Sequence, residues 1–128
     1  MKRSPSQIVD AIVEENREIS MFWSKAHGWA PIEAAELMSK SRLDWQVELS
    51  RTLHVWIVTP PPSETNAHLI LGWANLGALV EGTMKWLLSV YYSDYKTDVD
   101  ALKKDKGDVV SPDGQSLDPL RQFFRKQI

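Results

Sequence analysis

The feature that most limits what this chain can become is the stretch 69–92, almost continuously apolar and interrupted in its middle only by Glu81 and Lys85. A run of this length is either a membrane span or a helix enclosed by protein, because both environments ask for apolar residues all round. A charge at a bilayer centre costs a few kcal/mol even on lenient scales. Two charges mid-run therefore favour the central helix of a helical bundle, and no membrane partner is expected. Within it, Glu81 and Lys85 stand four residues apart in the favourable order and are expected to pair in the core. If buried, such a pair adds little net stability, but losing one partner is costly. Gly72, Gly77 and Gly82 each cost about 1 kcal/mol relative to Ala in a helix interior, which suggests that neighbouring helices approach closely there.

The rest of the chain supplies helices to surround this one. Ser4, Pro5 and Gln7 read as N-cap, N1 and N3 of a capping box, followed by Ile8, Ile12, Ile19, Phe22, Trp23 and Ala26 at helical spacing, with Gly28 as the expected left-handed stop. Pro31 opens a second stretch. Ser41 followed by Asp44 suggests a break near Ser39-Lys40-Ser41, after which Leu43, Val47, Leu49, Leu53, Trp56 and Ile57 continue the stripe. Thr59-Pro60-Pro61-Pro62-Ser63 ends it, since residues before proline leave the α region. The long helix should then run over 66–95. Asp98, Asp100, Lys103, Lys104, Asp105, Lys106 and Asp108 point to a short exposed charged helix, and Ser111-Pro112-Asp113-Gly114 to a turn. Asp118 and Pro119 start a last helix with Leu120, Phe123 and Phe124 on one face. Its apolar stripe lasts barely two turns, the pattern expected of a chain that either ends unusually or is a shortened form of something longer.

The expectation is therefore an all-α, antiparallel bundle of four to five helices, folded as a single domain over 1–128. At 128 residues a core can form without disulfides or a structural metal. The 15 Lys+Arg against 17 Asp+Glu leave a net charge of −2, which argues against a basic nucleic-acid footprint. No cysteine is present, so thiolate metal sites and a cysteine nucleophile are excluded. The basic start, Met1-Lys2-Arg3, is followed by Asp10, Glu14, Glu15 and Glu18 rather than an apolar core, so it does not read as a signal peptide, and a cytoplasmic location is expected.

Few residues are arranged for chemistry. Arg51 and His54 lie three apart, where a guanidinium could stabilise charge on a phosphodiester while an imidazole moves a proton. The same spacing also arises on any solvated helix face. His27 and His68 fall at a helix end and a helix start and read as surface or capping residues. The acidic run 94–108 is interleaved with lysines and lacks the spacing of a calcium loop. No glycine-rich phosphate loop occurs, so neither a metal nor a cofactor is expected. Five of the six Trp (Trp23, Trp45, Trp56, Trp73, Trp86) fall in expected helices and are assigned chiefly to the core, with a share left for a subunit contact.

The run Leu71-Gly72-Trp73-Ala74-Asn75-Leu76-Gly77-Ala78-Leu79-Val80-Glu81-Gly82-Thr83-Met84-Lys85, then Tyr91-Tyr92-Ser93-Asp94-Tyr95, resembles bacterial HEPN-like helical domains. So do Leu117-Asp118-Pro119-Leu120-Arg121-Gln122-Phe123-Phe124 and the region of Leu43-Asp44. The resemblance implies a helical bundle that dimerises, in families tied to RNA cleavage, toxin–antitoxin pairs or phage defence. HEPN nucleases bring together two copies of Arg, four to six residues, then His. Here Arg51-Thr52-Leu53-His54 has two intervening residues, and no His follows His68. The resemblance thus implies a non-catalytic or truncated member, a homodimeric interaction module with a protein partner. Two rivals remain: a metal-independent endoribonuclease using Arg51 and His54 across a dimer, and a small mobile-element protein that binds and blocks another protein.

Overall fold

The computed structural model describes residues 1–104 and 107–128. The fold is all-α: α1 (Pro5–Trp23), α2 (Ile32–Lys40), α3 (Leu43–Arg51), α4 (Leu53–Trp56), α5 (Thr65–Val90), α6 (Tyr92–Tyr95) and α7 (Leu117–Gln127), with 3-10 turns at Pro62–Glu64 and Pro112–Gly114. Among the described residues the only β pairing is an isolated bridge between Lys103 and Val109. No described helix is long and apolar enough to cross a membrane. The chain divides into two compact units, Met1–Ser24 with Arg42–Leu79, and Lys25–Ser41 with Val80–Ile128.

In the first unit α1 begins with the expected box: the Gln7 amide donates to Ser4 Oγ at 3.3 Å, and the Ser4 amide donates to Gln7 Oε1 at 2.9 Å. The helix stops at Trp23, a turn before Gly28. Ser24 accounts for this, because its hydroxyl takes the Met21 carbonyl at 2.6 Å and competes with further winding. The inward stripe of α1 has Val9 and Asn16 buried and Ile12 and Val13 half-buried, whereas Ile8 and Phe22 of the expected stripe are exposed. Val9 meets Leu53 and Leu79, with Ile12, Val13, Leu49 and Trp56 packed around them. The buried Gln46 amide donates to the Leu79 carbonyl at 2.9 Å, so α3 is held to α5 by a polar contact inside this core.

The break after α2 occurs where expected but without the Ser41–Asp44 box. The Ser41 hydroxyl donates back to the Leu37 carbonyl, and Asp44 is taken by the Arg42 guanidinium at 2.6 Å. A second break, at Thr52, was not expected from the continuous stripe. The Thr52 hydroxyl lies 2.7 Å from the Leu49 carbonyl one turn back, the kind of side-chain-to-backbone bond that bends a helix.

In the second unit Leu88, Tyr95, Ala101, Leu120 and Phe123 form the core, with Met84, Tyr92, Val109 and Phe124 against them. The Tyr95 hydroxyl accepts from the Leu102 amide and from Gln115 Nε2, at 3.1 and 2.7 Å. The long helix ends at Val90 rather than at Tyr95. The expected charged helix is not found: residues 96–104 and 107–111 form turns and extended chain, with Gly107 at φ +85°, and its other two residues, Asp105 and Lys106, lie outside the described residues. Asp98 Oδ1 accepts the Asp100 amide at 2.8 Å, a local bond that favours a turn over a helix. The last helix starts two residues early, with Ser116 rather than Asp118 as N-cap and Asp118 in its first turn.

The long helix differs most from expectation. Of its side chains only Leu79, Trp86, Leu88 and Ser89 are buried; Leu69, Ile70, Leu71, Trp73, Leu76, Val80 and Leu87 are exposed. The tryptophans divide similarly. Trp86 is buried and Trp23 and Trp56 half-buried, whereas Trp45 and Trp73 stand in solvent, Trp45 beneath the Arg42 guanidinium at 3.9 Å. The core assignment of Trp45 and Trp73 is therefore corrected.

Candidate interaction surface

An open concavity of the first unit lies beside the short element that follows the helix break at Thr52. The break leaves α4 as a single turn ending in Trp56, whose indole Nε1 donates to Asn75 Oδ1 at 2.7 Å. Asn75 Nδ2 in turn donates to the Leu49 carbonyl at 3.0 Å. One amide on α5 thus serves two elements, and the Thr52 hydroxyl, with its single proton, lies against both acceptors. The Trp56 carbonyl, an end-of-helix acceptor, is met by His68 Nε2 at 3.1 Å. A carbonyl only accepts, so Nε2 of His68 carries the proton. The two rings meet edge to face, with centroids 5.3 Å apart.

These contacts frame an open groove of ≈ 270 Å³. Val9 lines it from α1, Leu53 and Trp56 from α4, Ile57 from just beyond α4, and His68, Leu69, Gly72, Trp73 and Leu76 from α5. Gly72 faces Trp56: a Cβ there would meet Trp56 Cβ at 3.4 Å, ordinary van der Waals distance. Around the groove Ile57, Leu69, Trp73 and Leu76 are 42%, 59%, 65% and 39% exposed. None of the residues from Thr65 to Leu79 is acidic or a Lys or Arg. An uncharged apolar surface that includes a largely exposed tryptophan is typical of contact surfaces rather than of solvated helix faces.

The expected catalytic pair lies apart from this groove lining. Arg51 closes α3 and is exposed; His54 stands on α4, across the break, so the two do not share a continuous helix. His54 Nε2 is 3.0 Å from Asp10 Oδ1 on α1, with both groups well exposed. An aspartate beside the imidazole opposes the approach of a polyanion. Glu81 and Lys85 pair at 2.7 Å, with side chains 30% and 23% exposed, so the pair is half-buried rather than enclosed in the core. No group of three or more potential metal ligands converges among the described residues.

Sequence reasoning missed Asn75, Gln46 and the Trp56–His68 contact. A signal for Asn75 was present: an amide in an otherwise apolar, uncharged helical run needs partners if it is covered. No known protein family, curated protein or solved structure matches this chain.

Proposed function

We propose that this chain is a HEPN-like helical interaction module that works as a homodimer in the cytoplasm, in phage defence or a toxin–antitoxin pair, and that it has no catalytic activity of its own. The observation that carries the reading is the uncharged apolar surface around the groove, with Trp73 projecting from α5. Leaving such groups in water costs roughly 25 cal/mol for each Å² of apolar surface, and association recovers that cost. The Arg51 and His54 geometry supports the same reading, since the helix break separates them and His54 is already paired with Asp10.

The test is to incubate the purified chain with a mixed RNA pool beside Arg51→Ala and His54→Ala, while light scattering reads the mass. An intact pool and a dimer of well-folded chain are expected. Cleavage that disappears in both variants would overturn the non-catalytic reading in favour of a metal-independent endoribonuclease.

A further inference from the structure

We infer that the occupant of the α4–α5 groove is a second copy of this chain, related by a two-fold axis, with Trp73 of the partner subunit seated in the groove and Trp73 here seated in the partner's. This rests on the homodimer reading above and adds the surface that makes the contact.

Area, charge and shape each bear on the choice of occupant. Ile57, Leu69, Trp73 and Leu76 leave on the order of 450 Å² of apolar surface in water, about the apolar share of the ~800 Å² per partner that a stable interface covers. A two-fold contact sets a patch against its own copy, so any charge on the patch tends to face a like charge. The segment Thr65 to Leu79 has no Asp, Glu, Lys or Arg, and none of Val9, Leu53, Trp56 and Ile57 carries a charge. This surface is therefore complementary to itself and offers nothing to a partner recognised by charge. Finally, knob and hole occur together: the exposed Trp73 indole stands beside an open space of ≈ 270 Å³. Trp73 is also the residue type and position expected to dominate such a contact, a large aromatic at the edge of an apolar pocket.

The experiment is light scattering on the full chain across a dilution series, for the wild type, Trp73→Glu, Leu69→Glu, and Val99→Glu in the second unit as control. The wild type and Val99→Glu should run at twice the 14.6 kDa chain mass. Trp73→Glu should weaken the dimer about 100-fold or more, with its helical circular dichroism retained. The chain has no cysteine, so Trp73→Cys or Leu69→Cys adds a unique thiol near the axis that should cross-link to its own copy on oxidation, whereas Val99→Cys should not. This arm decides the matter if the glutamate variants fail to fold. A wild-type dimer that keeps its affinity in Trp73→Glu, or that cross-links at neither groove position, would overturn the assignment of this face and leave the homodimer reading intact. A wild type that stays monomeric at several hundred micromolar would overturn both.

Discussion

Replacing Asn75 by alanine separates a surface residue from a keystone, because the two roles predict opposite signs. In an exposed helix interior Asn→Ala stabilises by about 0.6 kcal/mol through propensity alone. Here it removes the acceptor of the half-buried Trp56 indole N–H and the donor to the Leu49 carbonyl. Each of these two hydrogen bonds is worth about 1 kcal/mol net. Thr52 adds nothing further, since its hydroxyl retains the Leu49 carbonyl. With the propensity gain subtracted, the variant should lose about 1.5 kcal/mol, a fall in urea midpoint on the order of 0.8 M at unchanged slope. Circular dichroism through a urea titration reads this directly. A cycle with Trp56→Phe should return a coupling of about 1 kcal/mol, because the phenyl ring no longer needs Oδ1. A neutral or stabilising Asn75→Ala, or a coupling near zero, would refute the keystone role.

Three further outcomes are expected. Gly72→Ala should stabilise by up to about 1 kcal/mol, since the new methyl meets Trp56 at ordinary contact distance while the helix loses its glycine penalty; a loss above about 1 kcal/mol in thermal or urea unfolding would show that the two surfaces have no room for it. Glu81→Gln should cost less than about 1 kcal/mol, shrink in 1 M salt, and be partly relieved by adding Lys85→Met, because the pair is half-buried; a salt-independent loss above about 2 kcal/mol would place it in the core after all. The Arg121 guanidinium, then the Gln122 amide, hold the Asp118 carboxyl below its ordinary value of 3.8. A folded pKa below the unfolded one contributes stability above the ordinary value and loses it as pH falls through the lower one. Asp118→Asn should therefore melt below the wild type at pH 7 and together with it near pH 2; a gap that persists in acid would refute this origin.

The helical class was legible because apolar spacing reports it directly, and the Ser4–Gln7 box and the triple proline mark true boundaries. The breaks inside the stretches were not. Leu49, Leu53 and Trp56 keep helical spacing straight through Thr52, so periodicity registers no interruption. At the break the Thr52 hydroxyl meets a carbonyl three residues back, a contact that depends on local geometry rather than on pattern. The charged stretch after Tyr95 misleads for a related reason. Alternating Asp and Lys resemble a solvated helix, but Asp98 binds the backbone two residues on and Gly107 takes a left-handed φ.

For the site, the limit is that hydrophobicity records a preference for leaving water and not the means of leaving it. The same Leu and Trp pattern that predicts a buried central helix suits a helix covered in its own fold or one covered by association. Polar residues resolve the two better, because a covered polar group must name its partner. Asn75 and His68 on α5 bond to groups of α3 and α4, and Gln46 of α3 donates to the Leu79 carbonyl of α5, so these contacts within the first unit mark the side of α5 that its own chain covers. Trp73 and Leu69 carry no polar atom that these partners engage, and both stand in water beside an open groove. In an apolar helix, then, the side bearing the bonded amides is the one satisfied internally, and the uncharged side without them is where a second surface is to be sought.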